Sequence, residues 1–231
     1  MEAVLFDFNG TLIFDTPLHA FCWKEMAKRI RGTPLSEDEF KLLNGRTNKQ
    51  LIEHILNKEI SDEDAKKYAE EKENLYRTML MKSDIKLCDG AINLFEALKK
   101  CNIPFTIATS SDWGNVQVFI QKYHLEEWFD IDKIIFNDFT FKGKPAPDIY
   151  LKASKKLGVS ISHCIVFEDT ISGIHSALSA GATPIGIASE MTVNELLQIK
   201  GCNLAIHTFN EITIEEMVDL IKNKGHHHHH H

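Results

Sequence analysis

From about Leu87 onward, short apolar runs alternate with amphipathic stretches, and this alternation constrains the fold more than any other feature of the chain. Pro104 to Ala108, Lys133 to Phe136, Cys164 to Phe167, Pro184 to Ile187 and Leu204 to Ile206 read as strands. Helical spacing covers Ala91 to Cys101, Gly114 to His124, Pro147 to Leu157, Ile171 to Ala180, Val193 to Ile199 and Ile214 to Asn223. Thr192 with Glu195 and Thr213 with Glu216 are capping boxes, and Gly158 and Gly181 stand where helices stop. Strands alternating with helices build a parallel sheet covered on both faces. The strand Ala3 to Phe6 belongs to this series, yet no single helix follows it. From Thr16 to about Ser83 the pattern is helical throughout. Leu18, Phe21, Cys22 and Met26 can share a face, Ser36 with Glu39 forms a capping box, and Ser61 with Asp64 opens a charged helix over Asp62 to Lys82. The expected architecture is therefore an α/β doubly wound parallel sheet, residues 1–15 plus 84–225, carrying an inserted α-helical cap over 16–83.

Composition removes several function classes. The 231 residues are 43% hydrophobic and 26% charged, with a formal net charge of -7. These proportions are ordinary for a soluble globular protein. Lys and Arg are scattered, so there is no basic footprint for nucleic acid. No apolar stretch approaches a membrane span, and the first residues enter a strand without a signal peptide, which makes the cytoplasm the expected location. Cys22, Cys88, Cys101, Cys164 and Cys202 are widely spaced with no Cys-x-x-Cys, as expected of reduced packing residues. Gly225 with His226 to His231 reads as a purification tag and is set aside from metal-site reasoning.

Four short segments lie at or beside predicted strand ends: Asp7-Phe8-Asn9-Gly10-Thr11, Thr109-Ser110-Ser111, Lys144-Pro145-Ala146-Pro147-Asp148 and Glu168-Asp169. Parallel strands put their carboxyl ends on one rim, where a nucleophile, hydroxyls, a cation and a carboxylate pair could converge. Each segment also has a plain structural reading. Asn9-Gly10 between two apolar runs is a hairpin signal. Thr109-Ser110-Ser111 could be a helix entry with Ser111 or Asp112 as N-cap. Lys144 could be a solvated loop lysine, and Glu168-Asp169 could simply place negative charge at a helix N-terminus.

Together these segments, with Phe167-Glu168-Asp169-Thr170, Gly173-Ile174 and Ala180-Gly181-Ala182, resemble the haloacid dehalogenase superfamily. The likeness is to the branch with a helical cap that includes beta-phosphoglucomutase and small phosphate-monoester phosphatases, and His19 through Trp23-Lys24 strengthens it. The resemblance implies that Asp7 is a nucleophile forming an aspartyl-phosphate. It implies Mg²⁺ held by the Asp7 carboxylate, the Asn9 main-chain carbonyl and Asp169, with Glu168 among or beside the ligands. Thr109 and the Ser110 N–H would bind phosphoryl oxygens, and Lys144 would neutralise charge. Gly10, Thr11 and Ser111 would border the phosphate. In the cap, His19, Gly45, Arg46 and Thr47 are candidate substrate contacts, against plain readings as a packed histidine and an exposed helix boundary. Asn44 and Asn48 stand where the mutase has basic residues, which departs from a sugar-bisphosphate specificity.

Asn9 is the main departure, because the family's phosphatases and mutases normally carry there an Asp that protonates the leaving group and activates water. Dehalogenases and phosphonatases also depart from Asp, but the former work without Mg²⁺ and Lys24 and Lys49 lack the context of the latter's Schiff-base lysine. The leading expectation is a Mg²⁺-dependent hydrolase of small phosphate monoesters with weakened acid-base catalysis, acting on a phosphorylated metabolite as a monomer or weak dimer. A sugar-phosphate mutase and a low-turnover phosphate-ligand binding protein are the alternatives. Two further expectations attach to position 9: His19 could supply the missing proton, and Asn9-Gly10 could deamidate slowly to give an acid.

Overall fold

The computed structural model describes residues 1–43 and 46–229. Among them, six strands form one sheet: β1 (Ala3–Phe6), β2 (Phe105–Asp112), β3 (Ile135–Asn137), β4 (Cys164–Glu168), β5 (Thr183–Ile187) and β6 (Ala205–Ile206). Their order is β3-β2-β1-β4-β5-β6 and every adjacent pair is parallel. Between them run α5 (Ala91–Lys100), α6 (Trp113–Tyr123), α7 (Asp148–Leu157), α8 (Ile171–Ala180) and α9 (Val193–Leu197), with α10 (Ile214–His229) last. β1 thus lies inside the sheet, with Val4 opposite Phe105 on one side and Ile165 on the other.

Side-chain alternation explains how β1 holds both layers. Ala3 and Leu5 join a buried cluster with Tyr150 and Ala153 of α7 and Val166 of β4. Phe6 turns the other way, stacking on Phe167 with ring centroids 5.3 Å apart and meeting Phe95 of α5 edge-on at 5.3 Å. All four β1 residues are buried, as a central parallel strand requires.

The strands differ from the sequence expectation mainly at their ends. β2 continues past Ala108 to Asp112, and β3 starts at Ile135 because Ile131–Lys133 forms a 3-10 turn capped by the Asp130 carboxylate. The hairpin alternative for Asn9-Gly10 is overturned: both edges of β1 are taken by the parallel strands β2 and β4, and residues 8–13 close a tight loop instead. In it the Leu12 N–H donates to the Phe8 carbonyl at 2.8 Å, the Gly10 N–H donates to the Ile13 carbonyl at 2.8 Å, and Gly10 has φ +77°. A left-handed residue suits glycine. The Cys88 N–H then donates to the Leu12 carbonyl at 2.7 Å.

The chain folds as two compact units, Met1–Phe14 with Lys86–His231, and Asp15–Ile85. The second is all helical: α1 (Thr16–Arg31), α2 (Glu37–Leu43), α3 (Asn48–Leu56) and α4 (Asp62–Lys82). Its starts and stops are local. Ser36 and Glu39 exchange capping bonds, Ser61 caps α4 through the Asp64 N–H, and Gly32 ends α1 in the left-handed region at φ +84°. Trp23, Met26, Leu35, Leu51, Ile52 and Ile55 form its own apolar core. No helix among the described residues is long and apolar enough to cross a membrane.

Candidate active site

The carboxyl end of β1 delivers Asp7, and the loop closed by Gly10 returns Thr11 beside it. Lys144 reaches Asp7 Oδ1 at 2.9 Å and Glu168 Oε1 at 2.5 Å. The Thr11 hydroxyl lies 3.2 Å from Asp7 Oδ2 and 3.1 Å from Asp169 Oδ1, bridging the two carboxylates. Asp7, Glu168 and Asp169 are all buried and each can turn one oxygen to a common point, those atoms lying within 4.8 Å of one another. Two glycines permit this crowding: a Cβ on Gly10 would stand 2.1 Å from Asp169 Oδ2, and one on Gly173 would stand 2.0 Å from Glu168 Oε2.

The electrostatics follow from placing three carboxyl groups against one ammonium in a buried site. Burial first, and then the charge of Asp7, push the Glu168 carboxyl up to about 7 despite the opposing pull of Lys144. Burial and the charges of Asp7 and Glu168 also raise Asp169 well above the ordinary carboxylate range. Burial opposes the Lys144 ammonium, but Asp7 and Glu168 more than offset it, so its value is raised. The cluster is short of positive charge. Three hard oxygen donors around one point, with glycines clearing the approach, fit a small divalent cation.

On the adjacent strand, β2 supplies the hydroxyls. The Ser111 hydroxyl donates to the Asn9 amide oxygen at 2.8 Å, Thr109 donates to the same oxygen at 3.3 Å, and the Ser111 N–H donates to Thr109 Oγ1 at 3.1 Å. Thr109 is fully buried, whereas Ser110 is exposed. Asp112, not Ser111, caps α6 by accepting from the Asn115 N–H. The plain reading of Lys144 as a solvated loop lysine is excluded by its two buried carboxylate partners. Deamidation is disfavoured too, since the Gly10 N–H that would attack the Asn9 amide is held by Ile13 and the amide oxygen by two hydroxyls.

The helical unit places its candidates differently. Lys72, itself buried, donates to His19 Nδ1 at 2.8 Å, and His19 Nε2 faces Asp15 Oδ2 at 3.2 Å. Tyr76 stacks on the imidazole at 4.0 Å and donates to the same Asp15 oxygen at 2.5 Å. A lone pair on Nδ1 accepting from an ammonium leaves the ring proton on Nε2. Both nitrogens are thus engaged inside this unit, and the expectation that His19 supplies the missing proton finds no free ring nitrogen. Thr47 uses its hydroxyl to cap α3 through the Gln50 N–H, and Arg46 is exposed with its N–H on the Leu43 carbonyl. Gly45 lies outside the described residues.

Two residues of the core unit join the site without any motif to announce them. The Tyr150 hydroxyl donates to Glu168 Oε1 at 2.5 Å while Lys144 sits 5.3 Å from its ring centre, and the Ser189 hydroxyl donates to the Gly10 carbonyl at 2.7 Å. A tyrosine on the buried face of α7 is a usable signal, because a fully buried phenol needs a polar partner. Ser189 carries none. Burial pushes the thiols of Cys22, Cys88 and Cys164 up to about 11, in keeping with packing residues.

Comparison with known proteins agrees with this geometry. Residues 1–181 match the model of the haloacid dehalogenase-like hydrolases. A phosphorylated carbohydrates phosphatase of Thermotoga maritima is 30% identical over 185 residues, 78% of this chain and 82% of that protein. A Saccharomyces cerevisiae protein named as a probable pseudouridine-5'-phosphatase is 34% identical over 203 residues, 81% of this chain and 82% of that one. A mutant of CbbY from Rhodobacter sphaeroides, in complex with xylulose-(1,5)bisphosphate, superposes with a TM-score of 0.77 at 25% identity, covering 91% of this chain and 96% of that one. With its parallel sheet, its buried carboxylate cluster and these relatives, the chain belongs to the haloacid dehalogenase-like hydrolase family.

Proposed function

We propose that this chain is a Mg²⁺-dependent phosphatase of small phosphate monoesters that works through an aspartyl-phosphate on Asp7. The observation that carries the reading is the Asp7 carboxylate at the end of a central strand, bound by Lys144 and sharing one point with Glu168 and Asp169. Asp7, Asp169, the Asn9 carbonyl and Glu168 would hold the Mg²⁺, which when bound supplies charge stabilisation for the transferring phosphoryl group.

In the first half-reaction an Asp7 oxygen bonds to phosphorus as the ester P–O bond breaks, and the departing oxygen leaves with the bonding pair. Lys144 keeps Asp7 oriented and offsets the charge that accumulates, while Thr109 and Ser111 offer hydroxyls beside the phosphoryl group. Position 9 carries an amide, so the departing oxygen takes its proton from water. In the second half-reaction water attacks phosphorus, inorganic phosphate leaves and the Asp7 carboxylate is restored.

Phosphate release from a panel of phosphorylated metabolites tests this directly. The expected result is release that requires Mg²⁺ and falls at least about a thousandfold in Asp7→Asn, whose amide is no nucleophile. Mg²⁺-dependent isomerisation of a sugar phosphate without net release, or release undiminished in Asp7→Asn, would replace the reading.

Proton linkage gives an independent check on the metal. The folded Glu168 value lies above its ordinary 4.5, so the metal-free folded chain binds more protons than the unfolded one between 4.5 and about 7. Its contribution to stability is therefore present below that window and lost as pH rises through it. Mg²⁺ binds only the deprotonated cluster, so the gain in Tm on adding Mg²⁺ should be several degrees larger near about pH 8 than near about pH 5. A gain independent of pH would place the ion elsewhere.

A further inference from the structure

The donors around Glu168 are shared unevenly between its two oxygens. Oε1 accepts from the Lys144 ammonium at 2.5 Å and from the Tyr150 hydroxyl at 2.5 Å. Oε2 accepts from the Asp169 N–H at 3.2 Å. Each oxygen of an ionised carboxyl offers about two lone-pair sites, so both sites on Oε1 are taken and Glu168 can face a cation only through Oε2. The other two carboxylates differ. Asp7 Oδ1 accepts from Lys144 and Oδ2 from Thr11, while Asp169 Oδ1 accepts from Thr11, so these bonds put no second donor on any of their oxygens.

Tyr150 supplies the second donor from a rigid mount. Its side chain is fully buried on α7, in the cluster that also contains Leu5, Ala153 and Val166, so packing fixes where the hydroxyl stands. A buried phenol needs some polar partner, and that need alone accounts for a hydrogen bond here. It does not account for which oxygen receives it. The bond goes to the oxygen that Lys144 already holds, and this choice decides how Glu168 can meet a cation.

We propose that Tyr150 is a positioning residue that limits Glu168 to one oxygen toward the metal and thereby sets the site's preference for Mg²⁺ over Ca²⁺. Ca²⁺ takes about six to eight oxygen ligands, often both oxygens of one carboxylate, whereas Mg²⁺ takes about six in an octahedron and keeps several waters among them. Withholding Oε1 therefore denies Ca²⁺ a two-oxygen partner and leaves Mg²⁺ the single oxygen it can use. This inference rests on the metal-dependent phosphatase reading above and deepens it.

The test titrates the full metal-free chain and its Tyr150→Phe variant with Mg²⁺ and with Ca²⁺ by calorimetry near about pH 8, where the cluster is ionised. The wild type should bind Mg²⁺ at least as tightly as Ca²⁺. Phenylalanine keeps the buried ring and frees a lone pair on Oε1, so Ca²⁺ should bind more tightly, Mg²⁺ should not, and the ratio of the two Kd values should move toward Ca²⁺ by about tenfold or more. A hydroxyl with a merely structural role would lower the metal-free Tm and weaken both ions alike. An unchanged ratio, or one moved toward Mg²⁺, would therefore overturn the proposal. Tighter binding of Ca²⁺ than of Mg²⁺ by the wild type would overturn it whether or not the variant folds. Mg²⁺-dependent phosphate release with an unchanged ratio would keep the phosphatase and remove this role of Tyr150. The expected change of ratio without phosphate release from any ester would keep the role and remove the phosphatase, and a wild type that binds neither ion would remove both.

Discussion

Asn9→Asp should raise the rate constant for alkyl phosphates by about two to four orders of magnitude, the usual worth of a positioned general acid-base group. The Ser111 and Thr109 hydroxyls that now donate to the Asn9 amide oxygen can donate equally to a carboxylate in the same place, so the new acid arrives in a site already built for an acceptor. The gain should be much smaller for p-nitrophenyl phosphate, whose leaving group departs without a proton. Measured single-turnover rates for an aryl and an alkyl phosphate in both proteins separate these contributions. An equal rise on both esters would mean that the carboxylate acts on metal binding or geometry, and an unchanged alkyl rate would mean that proton transfer at position 9 limits neither protein.

Lys144→Met should have the second largest effect, and in two observables at once. Methionine keeps the stem that packs at this site and removes only the charge. Three buried carboxyl groups then lose the ammonium between them, a change worth about 3–5 kcal/mol when one member of a buried pair is removed, or about ten degrees in Tm for a chain of this size. The deficit must depend on pH. Without Lys144 the carboxyl values rise further, so the folded variant binds still more protons than its unfolded chain, and stability present at low pH is lost as pH rises through those values. The Tm difference from wild type should accordingly be small near about pH 5 and full near about pH 8, and phosphatase rate should fall about a hundredfold or more. A Tm difference that is the same at both pH values would show that lost packing, and not lost charge, is what the variant reports.

Much of this is legible in the chain itself, for an identifiable reason. Apolar runs such as Ala3 to Phe6 and Cys164 to Phe167 are hydrophobic at every position because both sheet faces are covered, and capping pairs such as Thr192 with Glu195 mark helix starts locally. Asp7, Thr109, Lys144, Glu168 and Asp169 stand out because parallel strands bring their carboxyl ends together. What stays hidden depends on partners far away in the sequence. Tyr150 matters because it faces Glu168, and Ser189 because it meets the Gly10 carbonyl. His19 changes meaning once Lys72, 53 residues away, is seen to donate to it. The Asn9-Gly10 turn illustrates a different gap: local chemistry favours a hairpin, and only the two flanking parallel neighbours of β1 exclude one.

The central position of β1 also dictates the order of events during synthesis. Val4 must wait for Phe105 on one side and Ile165 on the other, so the earliest in chain order of these six strands is among the last to be enclosed. The helical unit, whose apolar core is drawn from within Asp15–Ile85, can acquire its structure well before that. Until β4 emerges, Ala3 to Phe6 is an incompletely paired apolar segment of the kind that recruits chaperones and seeds aggregation. In the proposed mechanism Asp7, at its tip, can act only when that exposure ends, because Lys144, Glu168 and Asp169 reach it only once β4 is in place.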